Sequence, residues 1–324
     1  MCNAGRILIC GNRVFRCCKV FEQMSRSEKG ADCGEHIDRI SELPISRLMF
    51  NDDFFKKCKH LGYIETSTII TEVLFLHKGL NLVSHCPLIE HFTLDYCSGF
   101  EHLNVSSPFL EALHIKGEEA LKSICLKQAQ NLFDLKLLGD EGGDNIERGW
   151  VSDLVKDLPK IERLCIGRGY IKNLSVGVNP RGLFWPFNTL KYLKLGVNFN
   201  EVEELMLIIS LLESSPNLEE LVIKSQSKDV QSQIILKEFD CYNCYFSKLQ
   251  TVKIIVEVSF EHALKFVQFV LAKSPSLEIL TFKVGHLGLN ESDAPTLFRI
   301  SRDLLQMQRA SPRAKVKILY LNDE

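Results

Sequence analysis

Three local groupings of cysteines and carboxylates have spacings that bear on chemistry. Cys241-Tyr242-Asn243-Cys244 is a CxxC pair, a pattern used for zinc or for thiol–disulfide exchange. A structural zinc takes four ligands and no second pair lies nearby, so these thiols are read as locally packed side chains. The run Gly139-Asp140-Glu141-Gly142-Gly143-Asp144 has the composition of a cation loop without the ligand spacing of an EF-hand, and is read as an acidic, flexible connector. Cys17 and Cys18 lie beside Arg16 and Lys19, a setting in which lipidation occurs, but they are read as a remnant of upstream sequence. The nine histidines are dispersed, and no phosphate loop, nucleophile elbow or HExxH pattern is present. The expectation is a protein with no catalysis, no metal and no cofactor.

Bulk properties narrow the remaining classes. Thirty-nine Lys and Arg face 41 Asp and Glu among 324 residues, a net charge of −2, which predicts no nucleic-acid partner. The longest apolar stretch, Leu205 to Leu212, is under half a membrane span, which predicts no membrane partner. Twelve cysteines are scattered along the chain, and Arg6, Arg13 and Arg16 interrupt any secretory h-region. Reduced thiols in the cytoplasm and/or nucleus are expected.

What organises the chain is a repeat. Eight anchors, Pro87, Pro108, Gln130, Pro159, Asn188, Pro216, Ser247 and Pro275, each carry apolar residues two, five and seven places later. No apolar position is missed at any anchor, and the first two intervals between anchors are clearly shorter than the five that follow. The last two apolar residues of each motif have the period of a strand, and one coil cannot cover its own apolar face. The spacing predicts an α/β leucine-rich-repeat solenoid with short parallel strands on the concave face. On the returning side, early coils repeat the pattern and predict strands, at Phe100, Leu103 and Val105, at Leu121, Ile124 and Leu126, and at Ile171, Leu174 and Val176. Later coils predict helices, through Val202, Leu205, Met206, Ile209 and Leu212 after Asn200, and through Leu264, Val267, Val270 and Leu271. Trp150, Leu154, Val155 and Leu158 predict a shorter helix before Pro159, Leu297, Ile300 and Leu304 a final one, and Val316, Ile318 and Tyr320 a closing strand.

Strand residues six and eight places after each anchor flank the core positions and should face solvent. Six of these sixteen are lysine, Lys116, Lys136, Lys194, Lys224, Lys253 and Lys283, with His114 among them and Asp95 the single acid. Such a row focuses positive potential and points to an acidic protein partner on the concave face. A solvated, edge-protecting lysine face accounts for it as well. The acidic row three places after the anchor (Glu90, Glu111, Glu162, Glu219, Glu278) is read as solvating the strand starts.

Several tracts resemble the plant F-box/FBD/LRR-repeat proteins: Cys86 to Glu90, Leu158 to Leu164, Ser214 to Leu221, Cys244 to Lys253 and Leu271 to Glu278. Arg309-Ala310-Ser311-Pro312, followed by an apolar strand, resembles the close of that family's FBD segment. The resemblance covers roughly residues 80–324. It implies four regions: 1–37, matching nothing and expected to be disordered; 38–79, an F-box remnant and first strands; 80–240, leucine-rich repeats; and 241–324, FBD-like repeats and a cap. It also implies a non-enzymatic substrate-recognition subunit of an SCF-type cullin ubiquitin ligase, with an LRR scaffold that recruits no ligase as the alternative. Asp38 to Pro44 resembles the opening of an F-box, so Leu43 and Pro44 are the positions that would dock a Skp-type adaptor. Arg47 to Asp52 then follows where F-box helices belong, so adaptor binding by this sequence is expected to fail.

Overall fold

The structure, a computed structural model, describes residues 5–10, 13–14, 79–80, 89–95, 102–119, 121–141, 158, 160–175, 186–225, 244–257, 260–285 and 294–320. Leu43, Pro44, Phe100, Cys17, Cys18, Cys241 and, of the helix expected through Leu158, Trp150, Leu154 and Val155 lie outside these residues, while Leu158 itself is buried and in no helix. The chain divides into two compact units, Met1–Lys160 and Ile161–Glu324.

The N-terminal unit contains β1 (Gly5–Cys10), β2 (Arg13–Val14), β3 (Gly79–Leu80), β4 (Ile89–Asp95), β5 (His102–Ser106), β6 (Ala112–Glu119), β7 (Ser123–Lys127) and β8 (Asp134–Glu141). Its main sheet runs β8-β6-β4-β1-β2 and a second runs β3-β5-β7. Phe92, Leu113 and Leu135 stand in register on successive parallel strands, as do Leu94, Ile115 and Leu137. All six are buried, as are Leu103, Val105 and Ile124 on the second sheet. The coils of β4 with β5 and of β6 with β7 are therefore flattened turns closed by a strand on both sides. Within 1–37, where disorder was expected, the run Arg6 to Ile9 forms part of β1, and Ile7 and Ile9 align with Phe92 and Leu94. The run supplies the strand period that the eight-anchor reading started too late to include. The first residues of the expected acidic connector also belong to a strand: Gly139 and Glu141 pair in register with Gly117 and Glu119.

The C-terminal unit contains β9 (Arg163–Ile166), α1 (Arg168–Ser175), β10 (Tyr192–Val197), α2 (Val202–Glu213), β11 (Glu220–Ser225), β12 (Thr251–Val256), α3 (Phe260–Lys273), β13 (Ile279–Val284), α4 (Ala294–Gln306) and β14 (Lys315–Tyr320). Its six strands pair in sequence order and all in parallel. Leu164, Leu193, Leu221, Val252 and Leu280 form one buried row and Ile166, Leu195, Ile223, Ile254 and Phe282 a second. Helices α2 and α3 bury Leu205, Ile208, Phe266 and Val270. The strand expected at Ile171 and Leu174 is instead helix α1. The amides of Tyr170 and Ile171 both donate to the Gly167 carbonyl, the local three- and four-residue bonding of a helix start and not of a strand. Residue 201, not Asn200, flanks the start of α2. Asn200 is buried, its amide donating to Asn198 Oδ1 at 3.0 Å. Gly196 is required where α1 begins, because a Cβ there would come within 2.8 Å of the Arg168 backbone nitrogen.

A repeated turn sets the strand starts. The residue two places after the anchor closes it: Leu110, Leu132, Leu190, Leu218, Leu249 and Leu277 each donate to the carbonyl three places back. Proline at the anchor fits the second position of such a turn, where the φ that its ring imposes is the one wanted and no amide is needed. Coils are then locked to one another. Thr189 Oγ1 donates to the Ile161 carbonyl and Asn217 Nδ2 to the Asn188 carbonyl, at 2.7 and 2.6 Å. The fold is thus an α/β leucine-rich repeat, with strands and then helices on the returning side.

Candidate protein-binding face

The strand positions four, six and eight places after each anchor alternate with the buried rows and make up the open face of the sheet. In the N-terminal unit the expected residues His114 and Lys136 are Cα partners on β6 and β8, and Lys116 follows on β6. Asp134, which the sequence reading left out, changes their character. Its Oδ2 lies 3.0 Å from His114 Nε2 and 3.3 Å from Lys136 Nζ. Burial would raise the Asp134 carboxyl, but His114 and Lys136 more than offset it and hold it below its ordinary value. The Lys136 charge expected on this face is thus paired within the protein.

The C-terminal unit keeps its lysines. Lys194 and Lys253 lie in one row, interleaved as Lys194, Val222, Lys253, Thr281 and Lys317 across β10 to β14. Lys224 and Lys283 lie in the next, as Gly196, Lys224, Ile255, Lys283 and Leu319. Lys224 Nζ is 3.7 Å from Glu257, whereas Lys194, Lys253 and Lys283 make no ion pair among the described residues. The row four places after the anchor adds Arg163, whose guanidinium sits 4.3 Å from the ring centre of Tyr192. That row has the same parity as the lysine rows, which is the signal that would have brought Asp134 and Arg163 into the sequence reading.

The position three places after the anchor, glutamate or not, also shapes the strand starts through its backbone. The carbonyls of Glu111, Glu162, Lys191, Glu219 and Gln250 each accept amides from two consecutive residues of the next coil, the two-against-one pattern of a β-bulge. Lys191 Nζ reaches Glu162 at 2.9 Å, and that bond raises the Lys191 pKa. Glu90, His91 and Glu111 bring their possible ligand atoms within 4.8 Å of one another, all half-buried, a grouping the sequence reading did not assemble because it joins neighbouring coils. It offers three ligands where a closed structural zinc site has four.

Thiol chemistry finds little support. Burial, then the Glu213 carboxylate, push the Cys244 thiol up to about 11, so it stays protonated and weakly nucleophilic near neutrality. Cys165 is buried on the open face of β9.

Residues 59–223 match the family described as FBD-associated F-box protein At5g56370, LRR repeats. The chain is 31% identical over 256 residues to F-box/FBD/LRR-repeat protein At1g13570 of Arabidopsis thaliana, covering 75% of this chain and 58% of that protein. It is 22% identical over 281 residues to the putative F-box/LRR-repeat protein At3g18150 of the same plant, covering 75% of this chain and 60% of that protein. The chain thus spans somewhat over half the length of these curated relatives. No solved structure matches it. With its repeats in register and these relatives alongside, the chain belongs to the plant F-box/FBD/LRR-repeat proteins.

Proposed function

We propose that this chain, with its F-box incomplete, supplies the substrate-holding repeats of an SCF-type cullin ubiquitin ligase's recognition subunit, and that a protein is held on their open face. The observation that carries this reading is the open sheet face of the C-terminal unit. There Lys194, Lys253 and Lys283 stand without counter-ions among the described residues, while the opposite side of the strands β10 to β13 is committed to the core. A surface of one sign backed by a rigid stack is suited to recognition. Nothing in the reading assigns the chain a reaction of its own; ubiquitin transfer would be performed by the recruited ligase.

One observation favours an interaction scaffold instead. The F-box-like match stops at Leu43 and Pro44, and Arg47 to Asp52 follow at once. The two readings separate in a pull-down with a purified Skp-type adaptor, using the chain as given and the chain with a complete F-box fused before residue 45. Capture by the fusion alone, with ubiquitin transfer to a co-bound protein once the cullin is added, supports the ligase reading. A fusion that captures the adaptor but delivers no protein to the ligase overturns it and leaves the scaffold.

A further inference from the structure

Five successive strands of the C-terminal unit each place one lysine in the two adjoining open-face rows: Lys194 on β10, Lys224 on β11, Lys253 on β12, Lys283 on β13 and Lys317 on β14. They alternate between rows two residues apart. With strands about 4.8 Å apart and a rise of about 3.3 Å per residue, successive lysine Cα positions follow a zigzag of about 8 Å steps across the strands. From the first strand to the last the zigzag advances about 19 Å, the reach of about six extended residues. Acidic neighbours are few among the described residues: Glu220 on the open face of β11, and Glu257, which pairs with Lys224 at 3.7 Å. The chain as a whole carries −2, so this zigzag is a local concentration of positive charge, not part of a basic surface.

Apolar residues alternate with the lysines. Val222, between Lys194 and Lys253, is buried, but in the other row Ile255, half-buried, separates Lys224 from Lys283, and the exposed Leu319 follows Lys283. A ligand suited to this grid must present negative charge and apolar surface together. An extended peptide alternating carboxylates with aliphatic side chains does so. A long polyanion does not: it has no apolar complement for Ile255 and Leu319, and a chain of net charge −2 offers it no extended basic surface.

We propose that the lysine zigzag of β10 to β14 binds a short acidic–aliphatic segment of a partner protein, laid across the strands in extended form. The proposal rests on the reading that the open face holds a protein, and it names the chemistry of the part that is held.

The test uses the full chain and a fluorescein-labelled eight-residue peptide alternating Asp and Val, followed by fluorescence anisotropy. An Asn–Val peptide and an eight-nucleotide dT strand serve as the other probes. Binding of the Asp–Val peptide, weakened at least about tenfold by K194E/K253E/K283E and weakening steadily with added NaCl, supports the proposal. K248E/K265E, which reverses two exposed lysines away from this face, should leave the affinity unchanged. A neutral K194Q/K253Q/K283Q variant gives the same comparison if charge reversal disturbs folding. Equal affinity for the Asn–Val peptide, full binding by the neutral variant, or tighter binding of dT overturns the proposal. Should the F-box fusion still deliver a protein to the ligase while the Asp–Val peptide fails to bind, the acidic segment falls and the recognition role stands.

Discussion

The two units build the same strand and back it differently. In the N-terminal unit the first anchors, Pro87, Pro108 and Gln130, lie close together and the chain returns as a second sheet. The wider spacing of Asn188, Pro216, Ser247 and Pro275 in the C-terminal unit admits helices α2 and α3. The core rows are unaffected: Phe92, Leu113 and Leu135 align as closely as Leu193, Leu221 and Val252. What changes is the fate of charge. A carboxylate in the N-terminal unit, Asp134, lies within 3.3 Å of both His114 and Lys136 and is held below its usual pKa by them. A carboxylate in the C-terminal unit, Glu204 at the start of α2, is buried and pushed up to about 7. Burial dominates that shift, partly offset by the Asn198 amide, which donates to Glu204 Oε2 at 2.7 Å, and by Arg168 and Lys172, while Glu201 adds to it. The shared core rows therefore leave the electrostatics to residues outside them, an open-face strand residue in one unit and a helix residue in the other.

The largest effect should come from the shared spine. Leu135→Ala and Leu221→Ala each remove a fully buried rung, and each should cost about 2–5 kcal/mol in urea unfolding. If one costs much less than the other, the two units do not share a common core construction.

The two carboxylates sharpen the comparison through pH. For Glu204 the folded pKa lies above the unfolded value of 4.5, so stability present at low pH is lost as pH rises through about 7. Glu204→Gln keeps an acceptor for the Asn198 amide and removes that loss. It should nearly match the parent at pH 4.5 and exceed it by on the order of 3 kcal/mol at pH 8. Asp134 runs the other way: its contribution is present above the ordinary carboxyl range and lost as pH falls through its lowered value. Asp134→Asn should cost stability at pH 7, by less than the Glu204 effect, and leave it nearly unchanged at pH 2. Melting curves across this range would show slopes of the same sign for both variants if the contrast between the units is wrong.

Much of the fold was legible because one coil cannot bury its own apolar face, so the stack imposes a strict pattern on the sequence. The core residues assigned from their anchors to β4, β6 and β8 to β13 stand in register rows. The strand or helix form of the returning side followed from coil length at β5, β7, α2, α3 and α4. The exceptions have local causes. Ile171 and Leu174 satisfy both periods, and the bonds from Tyr170 and Ile171 to the Gly167 carbonyl decide for helix. The open face was only half legible. Lysine positions could be counted, but the count does not show that Asp134 lies beside Lys136 or that Lys194 and Lys253 meet no acid among the described residues. Those facts depend on which residues of neighbouring coils share a row, and on a position four places after the anchor whose side chain leaves no mark in the apolar pattern.

Register is the claim on which both the core and the lysine zigzag depend, and a pair of cysteines measures it directly. Lys253 and Thr281 are Cα partners on β12 and β13, whereas Ile255 and Thr281 are two residues out of step. Neighbouring strands are about 4.8 Å apart, within disulfide reach, while a two-residue offset widens the separation to about 8 Å and puts it out of reach. Mild oxidation followed by peptide mapping should therefore cross-link K253C with T281C and fail to cross-link I255C with T281C. The reverse outcome, or equal cross-linking of both pairs, would contradict the stacking described here.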